Sequence, residues 1–503
     1  MKKNILMIYP KIPATYWSFK HTLPFAKKKS LMPPLGLITV AALLPSDYQV
    51  KLIDLNIAPL KKKDLKNIDL IFLSAMIVQK KSFHEVINFI KEFKIPIVAG
   101  GPYPSSSFEK IDGVDFFILN EAEKTLPLFL KDYEKGCPQK SYASKEKPDI
   151  TLLPPPRFDL LKINDYSSMS LQSSRGCPFN CEFCDIIEMF GRVPRYKKPE
   201  QFVNELNTLF KVGYKGPLFI VDDNFIGNKT AAKNLLQAIL SWQQKNKFPF
   251  SFFTETSINL AKSDEILDLM VKAGFNMVFI GIETTDPETL KKTQKIQNVN
   301  LDLLESVKKI QKKGLEVLGG FILGFDDEPE NIFELQIDFI QKAGIPLAMI
   351  GLMMVLPHTQ LYKRLQKEGR LLGESHGNNT HEMDLNFIPT RPKDELIAGY
   401  KRVLQELYNP KKYFARSLTL LKTFPKKNFI SRPITKGDLS TFFRSFFKQT
   451  FSAHGFQYLK FLLQALKYNR QNFHFAVNLA VKGYHFFKIT EEICPSSEKM
   501  VSF

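Results

Sequence analysis

Three cysteines fall within eight residues of this 503-residue chain, in the segment Cys177-Pro-Phe-Asn-Cys181-Glu-Phe-Cys184. Thiolates are the usual ligands of iron–sulfur clusters, and three in one short loop can hold three irons of a four-iron cluster, leaving the fourth iron open. Structural zinc would need a fourth ligand, and no Cys or His is near in the sequence. We therefore expect a 4Fe-4S cluster on Cys177, Cys181 and Cys184, with zinc binding or free thiols as the alternatives.

The rest of the chain favours a reducing compartment. The two other cysteines, Cys137 and Cys494, stand alone, and five in so long a chain do not form a disulfide framework. Pro10 and Pro13 end the first apolar run too early for a signal peptide, and no apolar run reaches the length of a membrane span. We expect a cytoplasmic protein.

The first 135 residues alternate short apolar runs with helical patterns. This alternation predicts a doubly wound α/β domain with a parallel sheet, whose ligands bind at the carboxyl ends of the strands. Residues 136–167 are rich in proline, including Pro154-Pro155-Pro156, and we interpret them as a linker without regular structure.

A second alternating pattern follows in residues 168–390, with six strand-like runs separated by helices. Six such units predict a partial (β/α)6 barrel, because a complete eight-unit barrel needs about 250 residues. The cysteines follow the first of these strands, where a barrel enzyme carries its catalytic loops.

Residues 391–503 form a third region, predicted to be mostly helical. From Lys401 onward there are 18 basic and five acidic residues, so this stretch carries +13 of the chain's net charge of +19. It is also rich in phenylalanine, as in Phe442-Phe443-Arg444-Ser445-Phe446-Phe447. The favoured interpretation is a helical domain with a Phe core and solvated Lys. Basic residues among aromatics also suit an anionic membrane surface, so peripheral contact with the inner face of the membrane is the alternative; nucleic acid is not an expected partner.

The cysteine spacing, with Phe183 before the last cysteine, resembles the signature of the radical S-adenosylmethionine superfamily. The resemblance implies that the open iron chelates S-adenosylmethionine and that the reduced cluster cleaves it to a 5′-deoxyadenosyl radical, which takes a hydrogen atom from the substrate. It also implies a low-potential electron donor such as flavodoxin or ferredoxin. By the same resemblance, the residues expected to contact S-adenosylmethionine are Phe183, Asp222, Asp223, Glu255, Glu283, Gly320, Ile322 and Gly324. Asp327 stands where the superfamily's adenine-contact strand ends in Glu.

An α/β domain ahead of a radical barrel resembles the cobalamin-binding members of that superfamily. The stretch Gly100-Gly101-Pro102-Tyr103 and the later Asn120-Glu121-Ala122-Glu123 resemble the motifs of that class. The cobalamin contacts that this implies are Ser74, Gly100, Gly101, Pro102 and Glu121. The usual histidine motif for cobalt is missing, since His21 and His84 do not occur in it.

Further segments resemble the subfamily that contains the hopanoid C-2 methylase, among them Thr15-Tyr16-Trp17-Ser18 and Leu356-Pro357-His358-Thr359. The resemblance implies methyl transfer to an unactivated carbon of a small or lipid-like molecule. Cyclisation or rearrangement by an enzyme of the same class is the alternative. A methylthiotransferase would need further cysteines before Cys137, and a non-enzymatic sensor would not need the carboxylates at the strand ends.

Overall fold

The computed structural model describes residues 2–426 and 435–495. Its N-terminal part is a six-stranded parallel sheet in the order β2-β1-β3-β4-β5-β6, with helices on both faces. The continuous apolar strands are buried on both sides, which confirms the doubly wound prediction. The strands are β1 Asn4–Tyr9, β2 Gln49–Asp54, β3 Leu70–Ser74, β4 Ile97–Gly100, β5 Phe116–Ile118 and β6 Ser141–Tyr142. The helices are α1 Leu35–Ala41, α2 Lys80–Ile90, α3 Pro102–Ser107 and α4 Ala122–Glu134.

The expectation of a linker without regular structure was wrong at one point. Strand β6 lies inside the proline-rich stretch and pairs with β5 at the edge of the sheet. Two residues suffice at an edge because only one side of the strand must be hydrogen-bonded to the sheet.

The second sheet is the open barrel, six parallel strands in the order β14-β13-β12-β11-β10-β7. It confirms the (β/α)6 prediction, and a two-stranded antiparallel ribbon, β8 with β9, stands beside it. The strands are β7 Met169–Leu171, β8 Ser174–Arg175, β9 Arg195–Tyr196, β10 Gly216–Ile220, β11 Phe250–Thr256, β12 Phe275–Glu283, β13 Glu316–Leu323 and β14 Ala348–Leu352. The helices are α5 Ile186–Met189, α6 Pro199–Lys211, α7 Lys229–Lys245, α8 Asp264–Ala273, α9 Pro287–Lys292, α10 Ile296–Val299, α11 Leu303–Lys313, α12 Ile332–Ala343 and α13 Gln360–Lys367.

Side chains alternate between the two faces of the barrel sheet. On β11 and β12, Phe252, Thr254, Val278 and Ile280 are fully buried against the surrounding helices. Their neighbours on the other face, which include Glu255, are partly accessible and line the interior. The barrel therefore encloses open space on its inner side.

The C-terminal region is helical, as predicted, and packs on the barrel. Its helices are α14 Lys393–Leu407, α15 Pro410–Thr423, α16 Lys436–Thr450, α17 Gly455–Asn469 and α18 Phe473–Ile493. No helix within the described residues is long and apolar enough to cross a membrane.

Arg416 on α15 joins this region to the barrel. The fully buried guanidinium donates to the carbonyl oxygens of Ile345 (2.9 Å), Pro346 (3.1 Å) and Leu407. It lies over the rings of Tyr408 and Tyr413, 5.4 and 5.0 Å from their centroids. Burial lowers the pKa of Arg416 to about 10, so its charge is retained at neutral pH.

Replacing Arg416 with Met should destabilise the protein strongly. The change leaves three buried carbonyl oxygens without their donor, and each buried unsatisfied group costs roughly 1–3 kcal/mol. We expect the free energy of unfolding to fall by about 3–5 kcal/mol, measured by urea denaturation followed by circular dichroism. Arg402→Met is the control, because its ion pair with Glu334 is exposed and should contribute less than about 1 kcal/mol. Equal midpoints for the two variants would contradict this account.

Candidate functional site

The three clustered cysteines lie between β8 and α5, at the carboxyl edge of the barrel sheet. All three are free thiols; Cys181 is buried and the other two are half-buried. Gly176 starts the loop with φ +98°, and a Cβ there would lie 2.8 Å from the carbonyl oxygen of Gly191. This close approach brings the two ends of the loop together, and the Cys177 N–H donates to the same oxygen at 3.3 Å.

Within the described residues, no three His, Cys, Asp or Glu side chains converge as they would on a single metal ion. A cubane cluster does not need side chains that converge on one point, because each of its thiolates ligates a different iron.

Asp222 and Asp223, at the end of β10, hold the approach to this loop. Both carboxylate oxygens of Asp222 are occupied, accepting from the backbone N–H groups of Ser173 (2.6 Å) and Ser174 (2.9 Å) and from both hydroxyls. Asp223 accepts from the Gly176 N–H at 2.7 Å. Asp222, expected to contact a ligand, is thus fully used in positioning the backbone before the cysteines.

A buried cation stands beside the thiols. Lys295 Nζ lies 2.6 Å from Glu283 Oε1, and both side chains are nearly inaccessible. Burial opposes the charge on Lys295, but Glu283 and Cys181 together raise the pKa of the ammonium. Burial also raises the pKa of the Cys177 thiol. A fixed positive charge at this position favours thiolates, the form that ligates iron. Sequence reasoning missed Lys295, which is one of many lysines in the chain.

Three carboxyl groups converge above the barrel interior: Asp223, Glu255 and Glu283. Burial raises the pKa of Asp223 to about 7, against the lowering effect of the Gly176 N–H. Burial, followed by repulsion from Asp223 and Asp222, raises the pKa of Glu255 to about 8. Within the described residues the Glu255 carboxyl has no hydrogen-bond or ion-pair partner. A ligand with an ammonium group and hydroxyl donors would supply what is missing, so the donor set fits S-adenosylmethionine.

The predicted adenine strand is β13. Gly320 and Ile322 lie on it, and Gly324 follows it. Glu328, not Asp327, turns back to this segment, accepting from the Gly324 N–H at 3.0 Å, while Asp327 pairs with Lys292 at the surface. Phe183 faces the same region, with its ring 5.6 Å from that of Phe325.

The predicted cobalamin contacts lie at the carboxyl edge of the N-terminal sheet. Ser74 ends β3, Gly100 ends β4, and Pro102 starts α3. Gly101 has φ +91°, and a Cβ there would lie 2.4 Å from Ser74 Oγ. The backbone at Gly101 therefore has no side chain to cover it. It lies beside the β1/β3 switch point, where such sheets bind ligands. His84 is hydrogen-bonded to Tyr103 at 2.9 Å.

Glu121 joins the N-terminal sheet to the cysteine loop. Its carboxylate lies 2.7 Å from Arg175 Nη1 and 2.8 Å from Arg195 Nη2, and Glu123 binds the other amino group of Arg175 at 2.8 Å. Arg175 and Arg195 are paired residues of the β8–β9 ribbon that brackets the cysteines. Because both oxygens of Glu121 are taken, its position fits an interdomain clamp better than a ligand contact. We call these four residues the clamp.

A cavity of about 580 Å³ lies between the two sheets. Loops of the N-terminal domain, the segment after the cysteines, and the ends of β13 and β14 all contribute to it. Its walls are mostly apolar, and the polar side chains are those of Ser105, Ser106, Asn120, Asp185, Glu188, His358 and Asn379. The lining includes Met76, Ile77, Val78, Pro102, Asn120, Phe183, Ile186, Met189, Ile322, Leu352, Met353, Met354 and Leu356. Such a volume suits a small molecule.

Comparisons with known proteins agree with this geometry. Residues 22–130 match the B12 binding domain, 171–340 the Radical SAM superfamily and 359–499 a domain of unknown function, DUF4070.

Two relatives are similar over most of the chain. A protein of Synechocystis sp. named as an uncharacterized methyltransferase is 44% identical over 82% of this chain and 77% of its own. The hopanoid C-2 methylase of Rhodopseudomonas palustris is 35% identical over 82% and 78%. The solved structure of OxsB, a cobalamin-dependent S-adenosylmethionine radical enzyme, has the same fold. It superposes with a TM-score of 0.62 at 15% identity, covering 100% of this chain and 82% of that one.

Removing Arg175 should break the clamp. Arg175→Gln leaves Glu121 and Glu123 buried with one cation fewer, and losing one partner of a buried ion pair costs about 3–5 kcal/mol. Arg157→Gln, which loses only an exposed pair with Asp159, is the control and should cost less than about 1 kcal/mol. Urea denaturation measures both.

The same variant should also change how the free energy of unfolding depends on pH in the acidic range. Although burial opposes it, Arg175 lowers the pKa of the Glu123 carboxyl. The stability from this pair is therefore complete above the unfolded pKa of about 4.3 and is lost as the pH falls through the lower folded pKa. The difference in the free energy of unfolding between wild type and Arg175→Gln should become smaller below about pH 4. A constant gap would show that Arg175 acts through packing alone.

Proposed function

The chain belongs to the family of cobalamin-binding radical S-adenosylmethionine methyltransferases that includes the hopanoid C-2 methylase, and we propose that it methylates an unactivated carbon of a lipid-like molecule. The wall of the interdomain cavity carries this proposal. Most of its lining is apolar, while Ser105, Asp185 and Glu188 are among the polar residues on part of the wall, so it favours a substrate with a large hydrocarbon part.

The proposed cofactor residues follow from the site. Cys177, Cys181 and Cys184 would hold the 4Fe-4S cluster. The S-adenosylmethionine contacts would be Phe183, Asp223, Glu255, Glu283, Gly320, Ile322 and Gly324, and the cobalamin contacts Ser74, Gly100, Gly101 and Pro102. When bound, these groups supply the radical and the methyl group of the reaction.

The chain's own residues would bind, orient and shield these groups. Lys295 holds a positive charge next to the thiolates, and Asp222 fixes the backbone ahead of them. The clamp sets the distance between the N-terminal sheet and the cysteine loop, and the apolar walls keep water from the reacting carbon. The domain division 1–135, 136–167, 168–390 and 391–503 belongs to the same proposal.

We also propose two partners. A low-potential electron donor such as flavodoxin or ferredoxin would approach at Arg192 and Val193, which are exposed next to the Gly191 that contacts Cys177. The basic C-terminal region would touch the inner face of the membrane, which gives direct access to a lipid-like substrate.

Loss of one thiolate should abolish activity. The protein is purified anaerobically with cobalamin supplied, then given S-adenosylmethionine and a strong reductant. We expect Cys177→Ala to lose bound iron and sulfide and at least 100-fold of the 5′-deoxyadenosine formed, while Cys137→Ala, at an exposed cysteine, keeps both. Product formation that survives Cys177→Ala would overturn the cluster assignment. A lipid extract that gains one methylene unit in mass distinguishes methylation from cyclisation or rearrangement, and absence of cobalamin absorption would contradict the N-terminal assignment alone.

The binding of S-adenosylmethionine should depend on Glu255. Its carboxyl attracts an ammonium group most strongly when it is ionised, and its pKa is raised to about 8. We therefore expect affinity to rise as the pH increases from 7 to 9, measured by equilibrium dialysis of the cluster-loaded protein. Glu255→Gln should lose about tenfold in affinity at pH 9 and flatten the profile. Asp327→Asn, at an exposed ion pair, is the control; an unchanged profile in Glu255→Gln would remove Glu255 from the site.

A further inference from the structure

Helices α16 and α17 expose large apolar side chains that nothing in the described chain covers. On α16, Leu439, Phe443 and Phe447 recur every four residues and are more than half exposed. This spacing puts them on one face of the helix. Phe451, at 85% exposure, follows at the end of α16, and Phe456, at 76%, lies in the first turn of α17. Leu463 continues the exposed row on α17 at 69%.

These rings are not part of the helical core. Other aromatics of the region, such as Phe461, Phe486 and Phe487, are fully or almost fully buried and supply that core. The region therefore has the phenylalanine core that one sequence interpretation expected, together with an outer row of exposed apolar residues. Large exposed apolar residues that recur along two packed helices are of the kind that marks an interaction site.

The charge around this row is almost entirely positive. Residues 436–470 contain six basic residues and one acid, Asp438. Lys448, Lys460 and Lys467 are exposed, and none has a carboxylate partner among the described residues. A second copy of this basic surface would bring like charges together. A protein partner with an acidic face would match the charge alone. An anionic lipid surface matches both the charge and the apolar row.

We infer that the outer face of α16 and α17, centred on Phe447, Phe451 and Phe456, docks on an anionic bilayer. This rests on the proposed peripheral membrane contact and assigns it to one surface. The aromatic side chains would enter the region between headgroups and acyl chains, while the lysines would lie at the phosphates. Because the face carries both apolar rings and lysines, it would lie along the surface of the bilayer and would not cross it.

Flotation of the full-length, cofactor-loaded protein with vesicles tests the surface. Phosphatidylcholine vesicles with and without phosphatidylglycerol are compared at low and high salt. The first variant is Phe447→Ser/Phe451→Ser/Phe456→Ser, with Leu128→Ser/Leu152→Ser as the matched control at exposed leucines elsewhere. The second is Lys448→Gln/Lys460→Gln/Lys467→Gln, with Lys135→Gln/Lys245→Gln/Lys272→Gln as its control.

Wild type should float with the anionic vesicles at low salt and much less at high salt. The aromatic variant should bind more than tenfold more weakly, because each Phe buries apolar surface on insertion. The lysine variant should lose roughly 100-fold at low salt, at about 1 kcal/mol per charge near the surface. Both controls should bind as wild type does.

The failures are distinguishable. If wild type and the aromatic variant float equally well, the membrane contact stands but this face does not make it. Wild type that does not float removes the contact itself, while methylation of an apolar substrate in detergent would still support the proposed function. Concentration-dependent dimerisation in light scattering, lost in the aromatic variant, would assign the face to a second copy and overturn the inference.

One variant keeps the test valid if the triple substitutions unfold. Phe451→Trp changes an exposed ring and should not disturb packing. Its emission should shift to shorter wavelength and gain intensity on addition of anionic vesicles, relative to the same titration of wild type. No difference from wild type would contradict insertion at this point.

Discussion

Buried charge between the N-terminal sheet and the barrel has to be neutralised, and that requirement fixes how the two sheets face each other. Glu121 lies at the end of β5 and its two cationic partners are neighbours on the β8–β9 ribbon. The ribbon is the base of the cysteine loop, so the clamp orients the loop and the N-terminal sheet together. The cavity of about 580 Å³ is the space left between them. A shift in the clamp would change its width, because the cavity is lined by loops that follow the strands of the two sheets.

The carboxyl groups at the strand ends divide into two kinds by their partners. Asp222 has all its hydrogen-bonding capacity filled by Ser173 and Ser174 and acts on the backbone. Glu283 is paired with Lys295. Glu255 is left with a raised pKa and no partner within the described chain. A half-buried carboxyl with a raised pKa and no partner is typical of a functional site rather than of a structural network. Its presence at the mouth of the barrel is therefore best explained by a ligand.

The sequence predicted the layers of the fold well because each depends on local patterning. Apolar runs of three to nine residues located every long strand of both sheets, and the cysteine spacing located the loop. The short strands β6, β8 and β9 were missed, because two residues carry no period. The clamp was beyond the sequence as well. Glu121 and Arg195 are 74 residues apart, and only the topology makes them neighbours.

Lys295 illustrates the same limit at the site itself. Nothing distinguishes it in a chain with 70 basic residues, since its role comes from the fold of α9 and α10 bringing it against Glu283 and the thiols. The same surplus of positive charge also explains why the C-terminal helices were open to two interpretations. A lysine next to a phenylalanine fits both a helical core and a membrane-facing surface until the exposure of the ring is known. Phe461 and Phe456 are five residues apart on one helix, yet one is core and the other is surface. The helix period turns this composition into a core face and an outer basic, aromatic face, and the outer face is the one that we propose for contact with a bilayer.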